Sequence, residues 1–234
     1  MARTGVRAAQ HPAGGQHVIT DDELRRAYAL DDRQTPRVRL NFVSSADGAV
    51  TLRGRSGTLG GDTDRRLMQV LRELADVVLI GAGTVRAEGY AGVAPRVAIV
   101  SARLELSPDD AVFAGAAARP LVVTSAASPP SRRAALAGVA DVLVCGQESV
   151  ELPAMVRELA GRGMPQILCE GGPHLFGSLL DADLADELCL TASPRLVGGV
   201  AGRITQGAAE VDRGFALRGV RHDDEGFVFL RYAR

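Results

Sequence analysis

Short apolar segments alternate with helical patterns along most of this chain. A segment at 38–44 and six further segments rich in Val, Ile and Leu predict strands, the six lying at 76–80, 96–101, 120–124, 141–145, 166–169 and 187–191. Apolar residues at helical spacing predict helices at 63–74, 131–137, 150–160 and 174–180. Because continuous apolar strands alternate with helices, the pattern predicts an α/β protein with a mainly parallel central sheet and helices on both of its faces.

The N-terminal part of the chain does not share this alternation. Residues 1–17 are rich in Gly, Ala, Gln and Arg, which predicts a disordered tail. Thr20 and Glu23 then have the spacing of a capping box, so a short helix is expected to begin there.

The C-terminal part also departs from the alternation. Two apolar segments, at 215–222 and 227–232, flank a short stretch rich in Asp and Gly, which predicts an antiparallel hairpin. We expect this hairpin to close one edge of the sheet. No internal repeat or long linker divides the chain, so a single domain is predicted at 18–234.

Composition and charge narrow the classes of function. The chain has 234 residues, of which 46% are hydrophobic and 24% charged, and its formal net charge is -1. These values are typical of a soluble globular protein, and they do not favour binding to nucleic acid or to an anionic membrane surface. No apolar stretch approaches the roughly 20 residues that cross a bilayer, and none follows Arg3 and Arg7 as in a secretory signal. A cytoplasmic protein is therefore expected.

The types of residue present restrict the chemistry further. All 27 basic residues are arginine, so a Schiff-base lysine or the lysine of a phosphate-binding loop is excluded. Cys145, Cys169 and Cys189 lie far apart in apolar strands without a Cys-x-x-Cys pair. We expect them to be small buried residues, with no metal site and no disulfide framework.

Two predicted strands run directly into glycine-containing turns. The first leads into Gly81 and Gly83, and the second into Gly171 and Gly172. Strand, glycine turn and helix start form the usual phosphate site of a parallel sheet. A plain strand-to-helix connection is the alternative for either turn alone, but two in one sheet favour a dinucleotide. The G-x-G-x-x-G fingerprint is incomplete, because Arg86 stands at its third glycine position.

The strand that follows Gly81 bears on the choice between NADH and NADPH. In NAD sites an acidic residue at the end of this strand commonly binds the ribose 2′-hydroxyl. Here the strand end carries Ser101 and Arg103 and no Asp or Glu at its tip. A hydroxyl and a guanidinium suit a 2′-phosphate, which indicates NADPH; the alternative is that Arg103 is a solvated loop charge.

Two carboxylates follow strand ends and are candidates for proton transfer. Asp47 precedes Gly48, where it either shapes a turn or faces a pocket. Glu170 precedes Gly171 at the edge of the sheet where ligands bind, and the alternative for it is an ion pair with an arginine. A reductase also needs a proton, for which Asp47, Glu170 or an ordered water is available. A carboxylate partly dried by a nicotinamide would have a raised pKa, which suits a proton donor.

Taken in order, these segments resemble the bacterial pyrimidine reductase family of riboflavin biosynthesis. The chain is similar to the reductase half of the bifunctional deaminase–reductase, standing alone, over about residues 37–232. The matching segments are 45–48, 75–85, 168–175, 186–188 and 194–199. The resemblance implies a dihydrofolate-reductase-like fold, NADPH as hydride donor, a homodimer, and reduction of the ribosyl group of a phosphorylated aminopyrimidine to ribityl.

The resemblance also implies which residues form the site. Asn41, Asp47 and Glu170 would face the substrate, with the two carboxylates as catalytic candidates. Bifunctional members often place a lysine near the substrate, and this chain has none; Arg53 and Arg55, in the arginine-rich loop 51–61, are the candidates for holding the substrate phosphate instead. The residues expected at the cofactor are Gly81, Gly83, Thr84, Val85, Ser101, Arg103, Thr124, Gly171, Gly172 and Leu175.

Two other functions stay open at this level. The resemblance extends to dihydrofolate reductases, in which an acidic residue after the first strand holds a pterin, and Asp47 has that position. The second alternative is a protein that binds NADPH without catalysis. Turnover of dihydrofolate and of the pyrimidine, measured side by side, separates these possibilities.

Overall fold

The computed structural model describes residues 18–116 and 118–234, and the tail predicted at 1–17 lies outside the described residues. The strands are β1 (Arg37–Ser45), β2 (Val77–Gly81), β3 (Arg96–Val100), β4 (Leu121–Thr124), β5 (Asp141–Val144), β6 (Gln166–Gly171), β7 (Glu187–Ser193), β8 (Ala216–His222) and β9 (Val228–Ala233). The helices are α1 (Asp21–Tyr28), α2 (Asp62–Glu73), α3 (Ala82–Glu88), α4 (Pro130–Leu136), α5 (Leu152–Gly161) and α6 (Pro173–Asp181).

In the described part of the chain, nine strands form one sheet in the order β5-β4-β3-β2-β6-β1-β7-β9-β8. The seven strands from β5 to β7 pair in parallel. Strand β9 pairs antiparallel with both β7 and β8. Each strand overlaps a segment that the apolar pattern predicts, and both the mainly parallel sheet and the C-terminal hairpin are confirmed.

Helices cover both faces of the sheet because alternate residues of its strands point to opposite sides. On β2, Val78 and Ile80 belong to the apolar cluster beneath α1 to α4, whereas Val77 and Leu79 belong to the cluster beneath α5 and α6. All four side chains are completely buried. Each apolar Å² removed from water stabilises the fold by about 25 cal/mol, so the two clusters supply the main driving force for folding.

The first helix begins as its sequence predicts. The Glu23 N–H donates to Thr20 Oγ1 over 3.3 Å, and the Thr20 N–H donates to Glu23 Oε2 over 2.7 Å, which completes the capping box. Among the described helices, none is both long and apolar enough to cross a membrane.

The three cysteines are buried and free, as their positions in apolar strands predict. Burial raises the pKa of the Cys169 thiol to about 12. A thiol is nucleophilic only when ionised, so these residues act as small apolar side chains.

A buried carboxylate connects the sheet to the end of α1. The Glu187 side chain is fully buried on β7, and it accepts hydrogen bonds from Arg231 Nε at 2.8 Å and from Arg39 Nη2 at 3.2 Å. The same arginines donate to backbone carbonyls at the end of α1, Arg39 to Tyr28 and Arg231 to Ala27. One carboxylate therefore orients two guanidinium groups that attach this helix to β1 and β9.

We expect Glu187→Gln to lower the free energy of unfolding by about 3 kcal/mol, because it leaves two largely buried guanidiniums without a counter-charge. Urea denaturation measures this loss. The matched control is Glu158→Gln, which breaks an exposed pair with Arg162 and should cost at most about 0.5 kcal/mol. A loss for Glu187→Gln that is no larger than that of the control would contradict the role given to this carboxylate.

Candidate active site

The parallel strands bring their C-terminal ends to one edge of the sheet, where loops from distant parts of the chain meet. Strands β1, β6, β2 and β3 are consecutive neighbours at this edge. A cavity of about 600 Å³ opens above them, a size typical of small-molecule sites. The predicted site residues that line it are Gly81, Gly83, Thr84, Ser101, Arg103, Glu170, Gly171, Gly172 and Leu175.

The two glycine turns, predicted separately, form one structure because β2 and β6 are adjacent in the sheet. A Cβ atom at Gly81 would lie 3.6 Å from the Gly172 nitrogen, and one at Gly172 would lie 2.9 Å from Thr84 Oγ1. Gly171 has a φ of +131°, which side chains rarely allow. The absence of side chains leaves the backbone of both strand ends open to the cavity.

The start of α6 completes this glycine cradle, by which we mean Gly81, Gly171 and Gly172 together with Thr84. Gly172 caps the helix, and Pro173, His174 and Leu175 of its first turn line the cavity. Unpaired N–H groups and the helix dipole favour an anion at such a position. The residues of the cradle therefore have the chemistry that an anionic group such as a pyrophosphate requires.

Glu170 is one of the lining residues, and its carboxylate is buried among partners inside the protein. The side chain is only 2% exposed, and both oxygens accept from Arg72, each over 2.7 Å. Oε2 also accepts from the Tyr90 hydroxyl at 2.8 Å. Burial and the adjacent Glu170 charge raise the pKa of Tyr90, so its hydroxyl stays protonated and donates. Of the two roles considered for Glu170, the structure shows the ion pair.

Asp47 lies outside the cavity lining, on an exposed turn after β1. Its carboxylate accepts from the Ser45 hydroxyl, from the Val197 N–H at 3.1 Å and from the Gly198 N–H at 2.7 Å. These hydrogen bonds, that from Ser45 foremost, lower the pKa of Asp47 to about 2. This shift is opposite to the raised pKa expected beside a nicotinamide, because every donor around Asp47 stabilises the charged form.

Two residues expected at the cofactor are buried away from the cavity. Val85 is 3% exposed and packs in the core, since it faces inward from α3. Thr124 is fully buried on β4, and its hydroxyl donates to the Ala102 carbonyl at 3.4 Å. Thr124 therefore supports the loop after β3 instead of lining the cavity.

Three residues expected at the substrate also lie outside the lining. Asn41 is half-buried within β1, opposite Cys189 of β7. Arg53 and Arg55 have exposed side chains, and Gly54 between them does line the cavity. Within the described ranges, neither arginine has a side-chain hydrogen bond or ion pair, so both guanidiniums are free to bind a ligand.

Several residues that line the cavity are not among those that the sequence predicts. Phe42 packs edge-on against Phe176, with ring centroids 5.0 Å apart, and forms an apolar wall. Arg86 was noted only as a departure from the glycine fingerprint, yet it lines the cavity. Its basic charge beside the glycine turn was the available signal. Other members of this group are Val50, Thr51, Ser56, Glu88, Glu105, Val150, Leu152, His174 and Ser178.

The tip of β3 carries no acidic residue, as the sequence shows, but the loop that follows it brings Glu105 close to Arg103. Glu105 follows Arg103 by two positions and pairs with it, with Nε and Oε1 2.8 Å apart. Both residues line the cavity.

Among the described residues, no group of three or more His, Cys, Asp or Glu side chains is arranged to hold a metal ion.

The chain is similar in sequence to proteins of known name. The 2,5-diamino-6-ribosylamino-4(3H)-pyrimidinone 5′-phosphate reductase of Methanothermobacter thermautotrophicus is 30% identical over 175 residues, which cover 70% of this chain and 80% of that protein. The riboflavin biosynthesis protein RibD of Mycobacterium tuberculosis (strain H37Rv) is 28% identical over 200 residues, which cover 85% of this chain and 52% of that protein.

Solved structures support the fold. A pyrimidine reductase-like protein from Corynebacterium diphtheriae superposes with a TM-score of 0.76 at 24% identity, covering 90% of this chain and 97% of that one. This similarity confirms the dihydrofolate-reductase-like fold. Residues 36–229 match the family model of the RibD C-terminal domain, which spans most of the chain. The chain therefore belongs to the RibD C-terminal domain family.

Proposed function

We propose that the protein is an NADPH-dependent reductase of a ribosylaminopyrimidine phosphate in riboflavin biosynthesis. The observation that carries this proposal is the glycine cradle. It lines the same cavity as Thr51 and Arg103, which come from two other loops. The family is one of riboflavin biosynthesis, and two archaeal relatives are named as reductases of the diaminopyrimidinone form of such a substrate.

The residues around the cavity fit a phosphorylated nicotinamide dinucleotide. The glycine cradle would hold the pyrophosphate. Side chains at Gly81 and Gly172 would add Cβ atoms close to their neighbours and reduce the space for it. Ser101, Arg103 and Arg86 would hold the 2′-phosphate, which favours NADPH over NADH. The apolar Val150 and Leu152 also line the cavity and suit an adenine ring.

The cofactor, when bound, supplies hydride to C1 of the ring-opened imine of the ribosyl group. Phe42 lines the cavity with an apolar surface, and a reacting carbon held against it would be shielded from water. Arg53 and Arg55 are the candidates for binding the substrate phosphate, since they flank Gly54, which lines the cavity.

The imine nitrogen also needs a proton, and the three sources considered from the sequence are Asp47, Glu170 and water. Asp47 holds a loop through an ionised carboxylate. Glu170 has both oxygens engaged by Arg72 and Tyr90. Water is the source that this arrangement supports. Glu170 then acts as a positioning residue that fixes the end of β6 relative to α2.

The alternative functions receive less support. Reduction of a pterin required Asp47 to face the ligand, whereas its carboxylate binds the backbone of Val197 and Gly198. The resemblance also implied a homodimer in the cytoplasm, and we propose both. The exposed Leu217 and Val220 on the edge strand β8 provide an apolar surface suited to a second copy.

Spectrophotometric assay of NADPH oxidation tests the proposed reaction. We expect turnover with the phosphorylated ribosylaminopyrimidine, supplied in separate assays as its diamino form and as its uracil form, and none with dihydrofolate. NADPH should be preferred to NADH. Tight binding of NADPH without oxidation by either pyrimidine would contradict catalysis and favour the binding protein instead.

Variants at the Glu170 cluster test the source of the proton. Glu170→Gln should lower the free energy of unfolding by about 3 kcal/mol, because the largely buried Arg72 loses its counter-charge, and Tyr90→Phe should lower it by about 1 kcal/mol. Both variants should alter the KM for NADPH through the displaced strand end. The pH profile of kcat should keep its shape in both.

A proton-donating Glu170 would behave differently in this experiment. Glu170→Gln would then remove one limb of the pH profile, whereas Tyr90→Phe would retain it at a shifted pH. That result would show that the carboxylate titrates during turnover and would overturn the positioning role.

A further inference from the structure

The loop after β3 presents one basic and one acidic side chain to the same part of the cavity. Leu104 has a φ of +51° and is 1% exposed, so it turns inward and anchors the loop in the core. The flanking Arg103 and Glu105 point outward and pair with each other at 2.8 Å. The arginine side chain is 79% exposed and the glutamate 41%, which leaves both accessible to a ligand.

Two further arginines hold the backbone of this loop. Arg86 of α3 donates from Nη1 to the Glu105 carbonyl at 2.9 Å, and Arg132 of α4 donates from Nη1 to the Arg103 carbonyl at 2.9 Å. The backbone is therefore fixed from two helices, whereas the exposed side chains of Arg103 and Glu105 hold only each other within the described structure. A ligand can exchange the partner of Arg103 without moving the loop.

The charges around Glu105 keep its carboxylate ionised. Its pKa is lowered by the hydrogen bond and charge of Arg103, and further by the charges of Arg86 and Arg132. A 2′-phosphate at this place would be attracted by Arg86 and Arg103, but it would also meet the negative charge of Glu105. A 2′-hydroxyl, in contrast, could donate a hydrogen bond to that carboxylate, as in NAD sites.

We propose that Glu105 is a specificity-determining residue that reduces the preference of the site for NADPH over NADH. In the free protein the Glu105 carboxylate pairs with the Arg103 guanidinium, which the 2′-phosphate would need as its partner. Binding of NADPH exchanges one anion for another on Arg103 and leaves Glu105 unpaired beside the phosphate. This inference rests on the proposed cofactor site and adds to it an internal competitor for the phosphate.

Titration calorimetry with two adenosine ligands tests this competition without the nicotinamide or the substrate. The ligand 2′,5′-ADP carries the 2′-phosphate, whereas 5′-ADP lacks it. We expect Glu105→Gln to bind 2′,5′-ADP about fivefold more tightly than the wild type, as for loss of a partly exposed charge interaction. Its affinity for 5′-ADP should stay equal or decrease, and the ratio of NADPH to NADH affinity should rise accordingly.

Two variants make the comparison specific. Glu158→Gln removes the same charge from a similar exposed pair, formed with Arg162 at 2.7 Å on α5, and should leave both affinities unchanged. Arg103→Gln should weaken the binding of 2′,5′-ADP. In the double variant, Glu105→Gln should no longer increase the affinity for 2′,5′-ADP, because the competition acts through Arg103.

The possible failures can be told apart. If 2′,5′-ADP binds the wild type and Glu105→Gln changes the ratio of affinities no more than Glu158→Gln does, the role of Glu105 is overturned and the cofactor site stands. If the wild type binds neither NADPH nor 2′,5′-ADP, the proposed cofactor is wrong and this inference is overturned with it.

Discussion

The close approach of two strand ends, β2 at Gly81 and β6 at Gly171 and Gly172, is the constraint on which the site depends. The strands are neighbours in the sheet although about 90 residues separate them in the chain. Side chains at this contact would fill the space above the sheet, since a Cβ at Gly172 would lie 2.9 Å from Thr84 Oγ1. Glycine keeps the backbone accessible here, and the cavity extends from this point along the strand ends.

The positively charged side chains that bind the buried carboxylates and line the cavity are all arginines. Arg72 binds both oxygens of Glu170 behind the cradle, and Arg231 binds both oxygens of Glu187 beneath the sheet. The planar guanidinium can make such paired bonds, whereas an ammonium group acts as a single point of charge. A chain without lysine can therefore hold two buried carboxylates and still provide Arg86 and Arg103 at the cavity.

Much of the fold follows from local patterns, whereas several roles depend on contacts between distant residues. Apolar segments predicted the strands because burial on both faces of a parallel sheet demands continuous apolar residues. Glu170 could not be assigned in this way, since Arg72 is 98 positions away and becomes its partner only when α2 packs beside β6. Asp47 likewise binds Gly198, which is 151 positions away. Glu105 was missed because its pairing with Arg103 depends on the inward turn at Leu104.

The affinity of Gly172→Ala for NADPH tests most directly whether the glycine cradle holds the dinucleotide. The φ of -91° at Gly172 allows alanine, and the added methyl group would lie 2.9 Å from Thr84 Oγ1, so the Thr84 side chain must shift to accommodate it. We expect the Kd to rise at least about tenfold in a folded protein. The control Gly161→Ala, whose Cβ meets nothing within 4 Å, should bind as the wild type does. An unchanged affinity in folded Gly172→Ala would contradict the account.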